Sequence, residues 1–185
     1  MGSFYVNFTV RGADQADVAR FLRSADRRAY VSPTLSGMTV FYDEQSDEQD
    51  VEAAQSLAER LSKELAVPVL AVLNHDDDIL MYWLFDSGTL CDVYDSCPGY
   101  FEDGPGNTPN GGDVIELCTA FDARPRMKQV AATLQRTDFS FALLRHMELA
   151  KLLGIPETLI TVGYKSIVAG ELPEGLSSKD QLQIK

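Results

Sequence analysis

Apolar and polar side chains alternate at the start of the chain, and residues 4–10 follow the period of two that is typical of a half-buried strand. Apolar residues then recur at helical spacing behind Asp14, which predicts a first helix capped by that carboxylate. Two further runs, 28–32 and 38–43, have the composition of strands and flank a turn-forming proline and glycine. The chain therefore begins with a predicted strand, a helix and a strand pair.

A second helix and a fourth strand are predicted next. Ser46 and Gln49 have the spacing of a capping box, and apolar residues repeat at helical spacing from Val51 to Ala66. A strand is then expected over residues 69–73. The resulting order, strand, helix, strand, strand, helix, strand, is that of a ferredoxin-like split βαβ unit.

An antiparallel meander is predicted to extend this unit. Residues 79–85 and 89–95 have the composition of two further strands, and a polar turn precedes each. Because the first of these consists of apolar and aromatic residues, we expect it to lie centrally with both faces covered. The predicted fold class is α+β: a ferredoxin-like βαββαβ sheet extended by an antiparallel meander, with a helical C-terminal part packed on it.

The period changes after residue 113, where residues 114–121 are ambiguous and helical spacing follows from residue 125. Residues 125–136 and 139–153 predict two helices, Gly154 fits the position just beyond the second, and a short helix is expected at 164–169. We expect a single compact domain over residues 1–185. It divides into a mixed sheet with two helices over 4–95, a long acidic loop rich in Gly and Pro over 96–113, a helical part over 114–172 and a frayed polar tail over 173–185.

The charge of the chain limits its partners. Sixteen basic and 28 acidic side chains give a net charge of −12, and such a field repels phosphate backbones and disfavours nucleic-acid binding. Acidity of this size has a general explanation, which is that it keeps a protein in solution. The sharper hypothesis is an acidic surface that binds a basic partner protein.

Membrane spans and export signals are not expected. The longest apolar run, 79–85, is too short to cross a bilayer, and the first residues lack the basic start and apolar stretch of a signal peptide. Three cysteines, an odd number, fit a reducing compartment in which thiols persist. The expected location is the cytoplasm.

The loop region 91–113 carries the densest candidate chemistry. Its carboxylates are of the kind that calcium or magnesium binds, and they are Asp92, Asp95, Glu102, Asp103 and Asp113. Their spacing does not match an EF-hand loop, and Asp92 and Asp95 should point to opposite faces of a strand. Since Gly, Asp and Asn are also the usual turn residues, we expect a connection here, with no metal and no cofactor.

A catalytic thiol is a second hypothesis for this region. Cys91 and Cys97 have neither a zinc spacing nor the C-x-x-C spacing of redox proteins. A nucleophilic cysteine needs a base, and the chain offers only His75, on a predicted turn, and His146, in an apolar helix. The familiar hydrolase, P-loop and dinucleotide-binding motifs are absent. A hydrolase-like or transferase-like enzyme with its site near 91–113 stays as an alternative function.

A third hypothesis concerns residues 147–165. The pair Leu149 and Ala150 precedes Gly154, with apolar residues after the glycine, and this resembles the helix-turn-helix pattern of repressor-type DNA readers. The resemblance implies a DNA-binding regulator whose second helix spans 157–164. That segment begins with an acid and has no arginine, whereas contacts to bases and phosphates require basic or amide side chains. A packed αα-hairpin explains the same residues.

Two aromatic side chains in the loop suggest a contact surface. Tyr100 and Phe101 lie between a Pro-Gly pair and two acids, where burial is difficult, and aromatic residues beside carboxylates suit a partner or a ligand. We therefore predict a non-enzymatic, acidic protein-binding or regulatory module. The predicted binding residues are Tyr100, Phe101, Glu102, Asp103, Asp92 and Asp95.

Overall fold

The computed structural model describes residues 2–101 and 108–185, and within them the fold is α+β, as predicted, with one eight-stranded sheet and six α-helices. The strands are β1 (Tyr5–Arg11), β2 (Ala29–Val31), β3 (Met38–Asp43), β4 (Pro68–His75), β5 (Ile79–Asp86), β6 (Thr89–Asp95), β7 (Asn110–Gly111) and β8 (Leu182–Ile184). The helices are α1 (Gln15–Ser24), α2 (Val51–Leu65), α3 (Val114–Ala120), α4 (Met127–Gln135), α5 (Ala142–Leu153) and α6 (Tyr164–Val168).

The strands are ordered β7-β6-β5-β4-β1-β3-β2-β8, and each described neighbouring pair is antiparallel. The sheet is therefore antiparallel, in contrast to the mixed sheet predicted for residues 4–95. The reason is that α1 and α2 each connect strands that lie two positions apart. The strand between them runs opposite to both, so the parallel pairs never become neighbours.

β1 lies at the centre of the sheet, and both of its faces are buried. One face joins an apolar core with α1 and α2 through Val6, Phe8 and Val10. The other face lies beneath the C-terminal part of the chain and consists of Tyr5, Asn7 and Thr9. The predicted half-buried strand is thus wrong in one respect, because protein rather than water covers its polar face.

β5 is buried on both faces, as its composition predicts. Trp83 and Phe85 belong to the core with α1 and α2, whereas Leu80, Tyr82 and Leu84 belong to a second core with α3, α4 and α5. The sheet separates the two cores because successive side chains of a strand point to opposite faces. We call α1 with α2 the N-terminal layer, and residues 114–168 the C-terminal layer.

The first helix is capped as predicted, and the second is not. The Asp14 carboxylate accepts a hydrogen bond of 2.9 Å from the Asp17 amide at the start of α1. In place of the expected capping box, Ser46–Glu48 forms a 3₁₀ turn, Gln49 has a φ of 65°, and Asp50 caps α2. A left-handed residue cannot continue a right-handed helix, so α2 begins only after Gln49.

The end of the chain is docked rather than frayed. β8 pairs with β2, and Ile184 is only 2% exposed within the core of the N-terminal layer. The sequence did not predict this contact, because the tail is mostly polar and a single buried isoleucine does not make the pattern of a strand.

Three of the four α-helices in the C-terminal layer lie inside the stretches predicted for them, whereas α3 forms in the ambiguous stretch 114–121. α4 and α5 fall within 125–136 and 139–153, and Gly154 ends α5 with a φ of 76°. A 3₁₀ turn at Glu157–Leu159 and the short α6 follow. Over residues 2–101 and 108–185, no helix combines the length and the apolar character needed to cross a bilayer.

Candidate functional site

A tight turn at one end of the sheet joins β4 to β5 and carries three consecutive carboxylates, Asp76, Asp77 and Asp78. Asp76 and Asp77 have φ angles of 53° and 60°, and the Asp78 amide donates to the His75 carbonyl over 3.0 Å. These are the features of a type I′ turn, which here places left-handed backbone at two residues other than glycine.

Two distant segments are tied to this turn. The Gly2 amide donates to Asp76 Oδ1 over 3.1 Å, and the Ser3 amide donates to Asp77 Oδ2 over 3.0 Å. From the other side, the Ala142 amide at the start of α5 donates to the Asp77 carbonyl over 2.5 Å. The turn is therefore held from both the start of the chain and the C-terminal layer.

Three aromatic rings pack around the His75 imidazole beside the turn. The ring centroids of Phe4, Phe101 and Tyr100 lie 4.9, 5.1 and 6.0 Å from that of His75, each in an edge-on arrangement. The rings of Tyr100 and Phe101 also contact each other, with centroids 5.1 Å apart. We call this group the His75 patch, and it comprises Phe4, His75, Tyr100 and Phe101 with the carboxylates of Asp76 and Asp78.

The aromatic residues of the patch are exposed. Phe101 is 69% exposed, Phe4 47% and Tyr100 40%. Phe141, which directly precedes the residue bound to the turn, is 55% exposed. Single exposed apolar residues are ordinary, whereas several that meet at one place on the surface mark an interaction site.

Tyr100 joins the aromatic part of the patch to its acidic part. Its hydroxyl donates to Asp78 Oδ2 over 2.9 Å. This hydrogen bond, with the negative charge of Asp78, raises the pKa of Tyr100 above its usual value, because it favours the protonated hydroxyl. The ring is therefore oriented by a carboxylate, while 40% of the residue stays exposed.

A cleft of about 350 Å³ opens beside Tyr100, and the segment after β6 forms one of its walls. Its volume lies at the lower end of the range for small-molecule sites. The residues that line it include Asp78, Ser96, Cys97, Tyr100, Thr137 and Arg145. Farther along, the same loop supplies β7, which pairs with the end of β6.

Arg145, in the lining of the cleft, has a structural role. It is 5% exposed, and its guanidinium donates to the carbonyls of Leu134 and Arg136 over 2.9 and 2.6 Å and to the Tyr94 hydroxyl. These carbonyls lie at the C-terminal end of α4, where a cation complements the helix dipole. Its charge is thus directed towards the helix end.

The predicted binding residues do not form one site. Tyr100 and Phe101 lie together on the surface, as described above. Asp92 is 8% exposed and accepts a hydrogen bond of 2.7 Å from the Tyr82 hydroxyl, so it belongs to the interior. Asp95 accepts from the Cys97 amide over 2.8 Å and shapes the turn after β6. Glu102 and Asp103 lie outside the described residues.

Sequence reasoning missed Phe4 and the role of His75. The sequence predicts Phe4 within a strand and His75 on a turn as a potential base, whereas the two rings meet beside the turn between β4 and β5. The available signal was the run of aspartates at 76–78, which marks a hairpin end. The pairing of β1 with β4, which brings Phe4 to that end, is not visible in the local sequence.

The thiol hypothesis gains no support from two of the three cysteines. The chain has only Cys91, Cys97 and Cys118, all among the described residues, and no disulfide joins them. Burial raises the pKa of the Cys91 and Cys118 thiols, which opposes formation of the nucleophilic thiolate.

Both histidines have partners of other kinds. His75 Nδ1 lies 3.2 Å from Gln49 Oε1, and His146 Nδ1 shares a hydrogen bond of 2.9 Å with the Tyr5 hydroxyl. Within residues 2–101 and 108–185, no three His, Cys, Asp or Glu side chains converge as metal ligands would.

The segment 147–165 differs from a helix-turn-helix. α5 and the glycine turn are present, but the position of the second helix, 157–164, holds the 3₁₀ turn Glu157–Leu159 and only the first residue of α6. Leu159 and Ile160 are both fully buried, so the segment serves to pack the C-terminal layer. This geometry also lacks the second helix of the expected αα-hairpin.

Comparison with known proteins gives no relative. No protein-family model, no curated protein and no solved structure matches the chain.

Proposed function

We propose that the chain is a non-enzymatic, cytoplasmic module that binds a basic segment of a partner protein at the His75 patch. The observation that carries this proposal is the exposed aromatic cluster around His75, in which Phe4, Tyr100 and Phe101 are between 40% and 69% exposed. We also propose that the centre of the sheet is ferredoxin-like. The order β4-β1-β3-β2, with α1 and α2 on one face, supports that assignment.

The chemistry of the patch suits arginine or lysine. An exposed cation over an aromatic ring contributes about 0.5–1 kcal/mol, and Phe101 and Tyr100 each offer such a ring. The carboxylates of Asp76 and Asp78 add charge attraction beside the rings. A net charge of −12 further steers a basic partner towards the protein and raises its association rate.

The geometry of the patch is fixed before a partner arrives. The turn is tied to Gly2, Ser3 and Ala142 by backbone amides, and Tyr100 is oriented by Asp78. A surface that is already ordered loses less conformational entropy on binding, so more of the contact energy becomes affinity.

Binding of a defined peptide tests the proposal. Fluorescence anisotropy with a fluorescein-labelled peptide of alternating arginine and leucine should report binding that weakens as salt is added. Phe101→Ser should weaken this binding about tenfold, because the most exposed ring of the patch is lost. Ile115→Ser is the matched control, since Ile115 is 63% exposed on α3 and contributes no ring to the patch.

Two results would contradict the proposal. One is equal affinity of the Phe101→Ser and Ile115→Ser variants for the arginine peptide. The other is equal binding of a peptide in which glutamate replaces arginine, because an acidic patch must reject it.

The cleft beside Tyr100 favours a second candidate, a hydrolase-like or transferase-like enzyme with its site near residues 91–113. The presence of Cys97 and Asp78 in the lining of one concave site motivates it. Hydrolysis of p-nitrophenyl acetate that Cys97→Ala abolishes and Cys91→Ala leaves intact would favour the enzyme. A rate equal to the spontaneous one would favour the binding module.

A further inference from the structure

A row of polar side chains is buried between the sheet and the C-terminal layer. We call it the polar seam, and it consists of Tyr5, Asn7 and Thr9 of β1, Asn74 of β4 and His146 of α5. Each of them is at most 3% exposed. Tyr5 and Asn74 lie directly opposite each other in the sheet, so the seam is continuous across two strands.

Hydrogen bonds across the seam attach the C-terminal layer to β1. The Tyr5 hydroxyl and His146 Nδ1 are 2.9 Å apart, and their rings stack with centroids 5.8 Å apart. Asn7 Nδ2 donates to the carbonyls of Ile160 and Val162 over 2.8 and 3.3 Å. The layer is therefore docked at this strand by a few specific polar contacts.

The seam also contains polar atoms without partners. Within the described part of the chain, no hydrogen bond reaches Asn7 Oδ1, Thr9 Oγ1, Asn74 Oδ1 or His146 Nε2. A buried polar atom without a partner has lost its hydration and gained nothing in exchange, which is unfavourable. These four atoms weaken the attachment of the C-terminal layer, because each regains a hydrogen bond to water when the layer opens.

The surroundings of His146 exclude charge. It borders a cavity of about 10 Å³, and the other lining residues are apolar or aromatic and include Leu70, Val72, Leu80, Tyr82, Leu117 and Leu149. Burial in this environment lowers the pKa of His146 to about 3, so the imidazole is neutral in the closed layer.

The charged groups near His146 are committed to other partners. On the strand side, Asp77 accepts a hydrogen bond from Asn74 Nδ2 over 3.0 Å, and on β6 Asp92 accepts from the Tyr82 hydroxyl.

On α5 itself, Arg145 binds the end of α4, and Glu148 accepts from Thr133 over 2.7 Å. Over residues 2–101 and 108–185, no carboxylate forms an ion pair with His146, so a proton on its ring would stay uncompensated.

We propose that the C-terminal layer is an acid-sensitive cover, which opens from the sheet as one unit when His146 takes up a proton, while the N-terminal layer stays folded. The proposal combines the polar seam, the uncompensated site of the imidazole and the separation of the two cores by the sheet. The unit that opens corresponds to a contiguous stretch of chain, which is typical of cooperative partial unfolding.

The direction of the pH effect follows from proton linkage. In the opened layer His146 is hydrated and has its ordinary pKa of 6.5, whereas in the closed layer its pKa is about 3. The opened form therefore binds more protons between these values, and acid favours opening. The opening constant should rise about tenfold for each pH unit below 6.5, which gives about 100-fold at about pH 4.5.

Hydrogen–deuterium exchange of the whole chain tests this proposal. Exchange rates corrected for their intrinsic pH dependence should show the opening constant of α5 rising about 100-fold between neutral pH and about pH 4.5. Peptides from α2 should stay protected under the same conditions. The fluorescence of Trp83 should also stay native, because this single tryptophan lies in the core of the N-terminal layer.

Two variants distinguish the effect of protonating His146 from other effects of acid. His146→Gln should abolish the rise in α5, because the amide can still bind Tyr5 but does not titrate. His75→Gln is the matched control and should retain the rise, since His75 lies at the His75 patch and outside the polar seam.

Three results would overturn the proposal. The first is a rise that persists in His146→Gln, and the second is equal loss of protection in α2 and α5. The third needs no variant: an NMR titration in which His146 ionises near its ordinary pKa while α5 stays protected.

Discussion

The two faces of β1 differ in their chemistry, although both are buried. Towards the N-terminal layer β1 presents Val6, Phe8 and Val10, and towards the C-terminal layer it presents Tyr5, Asn7 and Thr9. An apolar face needs only complementary shape, because removal of carbon from water is favourable in almost any arrangement. A polar face needs a partner for every atom, and four atoms of the polar seam have none among the residues that the structure describes.

The comparison indicates that the two faces of β1 contribute differently to stability and to the specificity of packing. The apolar face of β1 contributes to the free energy of folding through buried area. The polar face fixes the position of the layer above it, because Asn7 can bind the carbonyls of Ile160 and Val162 in only one arrangement. The first face should therefore respond to loss of volume, and the second to loss or gain of single hydrogen bonds.

The largest expected effect is on the apolar face. Phe8 is fully buried and stacks on Phe41 with ring centroids 4.4 Å apart. Phe8→Ala should lower the free energy of unfolding by about 4 kcal/mol, through lost burial and the cavity that remains. Urea unfolding followed by circular dichroism measures it. Phe101→Ser, on the surface, is the control and should change stability by less than about 0.5 kcal/mol.

A decrease of less than about 1.5 kcal/mol in the free energy of unfolding of Phe8→Ala would contradict the expected difference between the two faces of β1. It would mean that the N-terminal core relaxes around the missing ring and that the apolar face of β1 tolerates loss of volume.

A smaller loss is expected at Asp47, a buried carboxylate that joins β1 to the C-terminal layer. It accepts hydrogen bonds from the Val6 amide over 2.9 Å and from the Lys165 amide over 2.8 Å. Burial raises the pKa of its carboxyl, and these two bonds oppose that effect. Asp47→Ala should lower the free energy of unfolding by about 3 kcal/mol, because two amides lose their charged acceptor.

Glu48→Ala is the matched control for this prediction. Glu48 is a neighbouring carboxylate that pairs with the Lys165 ammonium over 2.8 Å, but its side chain is 63% exposed. Such a surface pair contributes about 0.5 kcal/mol. If both variants lost the same free energy of unfolding in urea, the hydrogen bonds of Asp47 would not be important for attaching the C-terminal layer to β1.

Much of the fold could be predicted from the sequence because periodicity reports burial locally. The alternation at 4–10 correctly predicts a strand, and the composition of 79–85 correctly predicts burial on both faces. The same alternation could not show that protein covers the polar face. An asparagine such as Asn7 is equally compatible with exposure to water and with hydrogen bonds to buried carbonyls. The prediction of a capping box was wrong because Gln49 has a left-handed backbone conformation, which delays the start of α2.

The candidate site was less predictable, because pairing between distant strands assembles it. Tyr100 and Phe101 stood out as aromatic residues in a loop that could not easily bury them. Their contacts with His75 depend on the hairpin of β4 and β5, and those of Phe4 depend on the pairing of β1 with β4. Asp92 was misplaced because a strand in isolation does not reveal which of its faces is covered.

The smallest expected effects are those of substitutions at two adjacent residues of β1. Each substitution exchanges threonine and valine, whose side chains have nearly equal volume. Thr9 and Val10 are both fully buried, on opposite faces, and Thr9 Oγ1 has no partner among the described residues. Thr9→Val should raise the free energy of unfolding by about 1 kcal/mol, because it removes a polar atom that gains nothing from burial. Val10→Thr should lower it by about 1–2 kcal/mol, because it places a hydroxyl in the apolar core.

The sign of this pair is more informative than its size. Opposite signs in urea unfolding would establish that the polar face of β1 is suboptimal for stability and that the apolar face is not. A loss in both variants would mean that Thr9 has a partner in solution, such as a water molecule held in the polar seam. In that case the seam would attach the C-terminal layer more firmly than its protein contacts indicate, and the difference between the two faces would narrow.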